Sequence, residues 1–134
     1  MNLLRIFLAF VIAMHGLAHF SGVAAAWSRA DAGFQNNPWL FSRAVTLKSP
    51  LGRFFGLVWL LAALVLAGAG LALVFAPAAW PGLPVAGALL SLLAILPWWR
   101  SVPPGAKAGA LLDLLILAAL LPPWGEQVLG WLLR

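Results

Sequence analysis

The sequence predicts an all-α integral membrane protein: a bundle of four transmembrane helices with a short interfacial helix between the first and second spans. Three observations carry that expectation. First, 64% of the 134 residues are hydrophobic and 8% are charged, with a mean hydropathy of +1.03; an ordinary soluble domain is about 45–50% apolar and about 25% charged. Eight basic and three acidic side chains do not cover a soluble surface, and a disordered chain would be polar and charge-rich. Second, four apolar stretches approach the roughly 20 residues that cross a bilayer. Third, Ala and Leu dominate and no alternating apolar/polar run appears, which argues against a barrel. The chain has no Cys, so disulfides, thiolate catalysis and Cys-based metal sites are excluded.

The chain reads as a single membrane domain over 1–134, with spans at about 3–27, 54–75, 83–99 and 106–121; the last two are short. The first span carries Arg5 before an apolar core and ends in Ala24-Ala25-Ala26, features of a signal peptide. Its apolar run is too long for a signal core, so a retained span is expected. Pro122-Pro123 ends or bends the fourth helix. The tail beyond, 124–134, with Trp124, Trp131 and Arg134, reads as a segment lying at the membrane surface.

The connections orient the chain. The first and third lie on one face and hold Arg29, Arg43, Lys48, Arg53, Arg100 and Lys107; the other face has Arg5, Arg134 and the amino terminus. The positive-inside rule places loops 28–53 and 100–107 in the cytoplasm and both termini outside. The net charge of +5 comes from scattered residues, so it marks topology rather than a nucleic-acid surface. Trp27, Trp98 and Trp99 fall at one set of helix ends and Trp80, Trp124 and Trp131 at the other, the pattern of aromatic belts; Trp59 falls inside the second helix.

Within the first connection, Asn37-Pro38-Trp39-Leu40-Phe41 has a cap residue followed by Pro at the first helical position. Together with Phe34 it is too apolar for a free loop. A short interfacial helix over about 37–48 is expected, serving as an anchor or as a lid over a binding site.

Polar groups in hydrocarbon are costly, so each one inside a span is a functional candidate. His15 and His19 stand one turn apart on one helix face, in the stripe Leu8, Ile12, His15, His19, Gly22, Ala26, with Arg5 nearby and Ser21 pointing elsewhere. Asp113 lies about ten ångströms from its helix start and His19 about twelve from the matching end of the first span. Carboxylate and imidazole thus share a depth and can pair, with His15 extending the site. Ser91 is the polar residue of the third span. The candidate ligand-binding residues are His15, His19, Asp113, Arg5 and Ser91; none is assigned a catalytic role.

Four meanings remain open for this group: a polar clasp that fixes helix packing, a site for a quinone or lipid headgroup, a metal or haem site, and a proton relay. Two His at four-residue spacing can share one metal, but they cannot be the two axial ligands of one haem, because they lie on the same side of it. Gly87/Ser91, Gly68/Ala72 and Ala106/Ala110 have the small-xxx-small spacing of close helix contact, within the bundle or in a homo-oligomer. No phosphate loop, dinucleotide fingerprint or nucleophile elbow is present.

The stretch Leu4-Arg5-Ile6-Phe7-Leu8-Ala9-Phe10-Val11-Ile12-Ala13-Met14-His15-Gly16-Leu17-Ala18-His19 resembles the opening of the DoxX-like bacterial membrane proteins. The segments 51–60 and 108–113 resemble parts of small relatives with a paired-His first helix. The resemblance implies a four-helix bundle in the bacterial cytoplasmic membrane. Some members are linked to quinone-coupled oxidation or are membrane partners of redox enzymes. Only Arg5 and Gly16 map onto the shared pattern, and the His pair departs from typical members. The expected function is therefore an accessory or binding protein, in contact with membrane lipid and with a membrane or redox partner, whose His/Asp site binds an apolar ligand or locks the bundle. The alternative is a subunit of a quinone-linked membrane oxidoreductase.

Overall fold

A computed structural model describes residues 3–133. It is helical, with six α-helices among the described residues and no strands. The first apolar stretch forms α1 (Leu3–Ala18) and α2 (Phe20–Trp27), separated only by His19. α3 (Pro50–Phe75) starts where Ser49 accepts a hydrogen bond from the Gly52 amide, with Pro50 at the first helical position. At 1.5 Å per residue α3 is about 39 Å long, and Pro77 follows its end. α4 (Gly82–Ile95) tightens into one turn of 3-10 helix at Leu96–Trp98. α5 (Pro104–Leu120) and α6 (Gly125–Leu132) meet at a 98° bend across Pro122-Pro123.

Two stretches, Leu3–Trp27 and Pro50–Phe75, are long and apolar enough to cross a membrane, and the α5–α6 pair is a third if counted as one span. The apolar helix Gly82–Trp98 is shorter. Phe7, Phe10, Met14, Leu57, Leu64, Leu71, Leu93 and Leu115 all face outward. So large an apolar surface fits a lipid environment rather than water.

α3 is the central element: it packs on α1 and α2 along one side and on α4 along the other, and α4 packs on α5. α1 and α5 are not a closely packed pair. Two apolar clusters fill the interior. One, around Trp59, Phe55, Trp98, Phe34 and Leu47, lies at the end with the long connections. The other, around Leu66, Leu73, Ala9, Ile12 and Trp80, lies at the opposite end, where Leu132 of α6 folds back onto it. Gly16 lets α1 lie directly on the α3 backbone, because a Cβ there would sit 2.9 Å from the Ala63 carbonyl oxygen.

Two expectations need correction. The interfacial helix over 37–48 does not form; the segment is irregular, with a single bridge between Trp39 and Ser42. Its polar groups are taken by the α4–α5 connection instead. The Gln35 amide donates to the Ser101 carbonyl and the Leu40 amide to that of Pro97, while the Asn37 side chain donates to the Arg100 carbonyl rather than capping a helix. The second correction concerns the belts. Trp27, Trp99, Trp124 and Trp131 are exposed, but Trp80 and Trp98 are buried in the two clusters. The tail forms a helix, α6, with Glu126 in its first turn; Arg134 and the amino-terminal Met1 lie outside the described residues.

Candidate functional site

The structure brings four of the five sequence-derived candidates together, between the two apolar clusters. Asp113 of α5 and Ser91 of α4 are fully buried, and His19 is 5% exposed. The His15 side chain is 7% exposed. His15 Nε2 lies 2.8 Å from Asp113 Oδ1. The Ser91 hydroxyl bridges Asp113 Oδ2 and His19 Nε2, the latter at 2.7 Å. The direct carboxylate partner is therefore His15, and His19 is reached through Ser91. Gly109 of α5 makes room for this: a Cβ there would meet His15 Cε1 at 2.8 Å. The two imidazoles stand edge to face, with centroids 4.9 Å apart.

The break at His19 belongs to this arrangement. In a continuous helix the His19 amide would donate to the His15 carbonyl four residues back. Here it donates to Gly16 at 3.0 Å, and His19 Nδ1 takes its place on the His15 carbonyl at 2.9 Å. A carbonyl oxygen only accepts, so His19 carries a proton on Nδ1.

Arg5 is not part of the site. It is about 15 Å along the helix from His15 at 1.5 Å per residue. Its Nε donates to the Leu73 carbonyl at 2.7 Å, and Nη2 approaches the Val74 carbonyl at 3.5 Å. A cation there neutralises the negative end of α3. Among the described residues, no group of three or more His, Asp or Glu is placed to hold a metal ion. Both nitrogens of His19 are already bonded to Ser91 and to the His15 carbonyl.

A cleft of about 340 Å³ opens onto the imidazoles, near the lower end of the ~300–1,000 Å³ typical of small-molecule sites. It lies where α1 and α5 stand apart. His15, His19 and Ser21 supply its polar wall; Phe34, Trp59, Ile95 and the start of α5 supply its apolar walls. Ser21 thus faces the cleft, contrary to expectation, with its hydroxyl donating to the Ala18 carbonyl at 2.7 Å. Phe34 reaches the cleft from the long connection, where Ala32 and Gly33 both take positive φ, and it packs edge-on against Trp59 at 5.5 Å. Sequence reasoning did not assign Phe34 or Trp59 to the site. Trp59 carried a signal, as the tryptophan that no interfacial belt explained. Compared with known proteins, the chain matches no family model, no curated protein and no solved structure.

Proposed function

We propose that the protein is a four-span bundle of the bacterial cytoplasmic membrane that binds an apolar molecule, a quinone or a lipid, at the His15–Asp113–Ser91–His19 network. The observation that carries this is the cleft: it combines apolar walls with one polar wall, and that wall belongs to the buried network. A clasp that only fixed helix packing would need no such space beside it. The network also holds α1, α4 and α5 together, so binding and locking of the bundle are two roles of one site. The resemblance to DoxX-like proteins agrees with a bacterial cytoplasmic membrane and a redox-linked partner. The six basic residues of the two loops 28–53 and 100–107 support a cytoplasmic placement of that end.

The test uses protein purified in mild detergent and examined by native mass spectrometry and lipid extraction. The expected result is a co-purifying apolar molecule that is lost from Ala106→Leu. Ala106 lines the cleft and is none of the four network residues, so the substitution is aimed at the space, and an unchanged circular dichroism spectrum and melting temperature check that the helices stay packed. A wild-type protein that carries nothing and binds neither quinone nor lipid refutes the proposal.

A further inference from the structure

The hydrogen bonds of the network fix what its open side offers a ligand, given that the cleft is the binding site proposed above. His19 Nδ1 donates to a carbonyl and so keeps its proton. Three links remain: His19 Nε2 to Ser91 Oγ, Ser91 Oγ to Asp113 Oδ2, and Asp113 Oδ1 to His15 Nε2. Each link needs one proton. Ser91 brings one, and two more come from the imidazoles and the carboxyl group.

Charge decides between the arrangements, because a net charge in a buried apolar setting is costly. Two arrangements fill every link and leave the network neutral. In one, His19 is an imidazolium that donates to Ser91, and Ser91 donates to the Asp113 carboxylate. In the other, protonated Asp113 donates to Ser91, and Ser91 donates to neutral His19. They differ by the position of a proton on each side of the Ser91 oxygen. In both, His15 donates from Nε2 and keeps a lone pair on Nδ1. If Asp113 instead donated to His15, the network would be cationic or one link would lack its proton.

His15 Nδ1 has no hydrogen-bond partner among the described residues, and it is not sealed within the protein. It is an acceptor on a cleft wall, with a carboxyl group behind the opposite nitrogen. Ser21, the other hydroxyl of that wall, has its proton committed to Ala18. Trp59 lines the cleft as part of its apolar wall. An open acceptor on the cleft wall matches a hydroxyl group, which can donate to it. A ketone or ether oxygen would meet the Nδ1 lone pair with its own.

We infer that the cleft selects an apolar molecule headed by a hydroxyl group, of the phenol or quinol class, over the carbonyl or ether of the same shape. The inference rests on the binding role proposed above. The full chain in lipid nanodiscs is titrated calorimetrically with para-octylphenol and its methyl ether, and with decylbenzoquinol and decylbenzoquinone. The expected result is at least about tenfold tighter binding of each hydroxyl compound than of its counterpart, equivalent to about 1.4 kcal/mol. Binding of the ether or the quinone within about twofold of its hydroxyl counterpart overturns the donor preference and leaves the binding role standing. Absence of saturable binding by all four overturns the inference, and lipid extraction of the same protein then decides the binding role by itself. Imidazole ¹⁵N spectra of the ligand-free protein give an independent readout: an unprotonated Nδ1 on His15 is expected, and a protonated one overturns the inference.

Discussion

Replacing Ser91 with alanine deletes one oxygen and leaves two buried partners bare. His19 Nε2 loses its bond at 2.7 Å and Asp113 Oδ2 loses the hydroxyl. Both residues are buried, at 5% and 0% exposure. The space vacated by a hydroxyl is smaller than the roughly 30 Å³ a water occupies, so solvent does not fill the gap. A buried polar group left unsatisfied costs about 1–3 kcal/mol, and two of them give about 2–6. Interhelical hydrogen bonds in membrane proteins average only about 0.6 kcal/mol, because unfolded helices find other partners in the bilayer. The expected loss for Ser91→Ala is therefore near the lower end, about 2–3 kcal/mol. SDS titration in mixed micelles, followed by circular dichroism, measures it. Ser21→Ala is the control: that hydroxyl only bonds back to the Ala18 carbonyl of its own turn, and a change within about 0.5 kcal/mol is expected. If Ser91→Ala is as mild as Ser21→Ala, the four groups do not form one coupled network.

Gly109→Ala places a Cβ 2.8 Å from His15 Cε1; overpacking of this kind costs about 1–3 kcal/mol, and a changed His15 ¹⁵N spectrum should accompany the loss. Gly16→Ala and Gly68→Ala form a matched pair in the same titration. The first drives a methyl against the α3 backbone and should destabilise by at least about 1 kcal/mol. The second meets nothing within 4 Å and should be neutral or stabilising by up to about 1 kcal/mol. The absence of native Cys makes single-Cys labelling clean. In intact cells Glu126→Cys should react with an impermeant thiol reagent, whereas Lys48→Cys should react only after permeabilisation; the reverse pattern refutes the orientation.

The long helices were legible because hydropathy is a property of each stretch alone. The polar centre was partly legible for the same reason: His15, His19 and Asp113 stand out in apolar sequence, and counting from the helix ends put Asp113 and His19 at one level. Which imidazole meets the carboxylate was not legible. That depends on how α4 and α5 are rotated about their axes, and their buried sides differ too little from their lipid sides in polarity to set it. Ser91 stands out in its span by polarity, but its bridging position depends on that rotation too. Arg5 shares the inward stripe, yet ten residues of rise separate it from His15, and stripe membership says nothing about axial distance. The missing interfacial helix has a different cause. Asn37-Pro38 suits the start of a turn as well as that of a helix, and the choice was made by Arg100, Ser101 and Pro97, more than fifty residues away.

The one-residue break at His19 ties the posture of a side chain to the winding of the main chain. The ring cannot swing away without stripping a carbonyl of its donor in a medium that supplies no replacement. Straightening the segment would return that carbonyl to the His19 amide. The imidazole is thus registered by the helix itself. The winding of the segment and the posture of the ring meet at that one carbonyl.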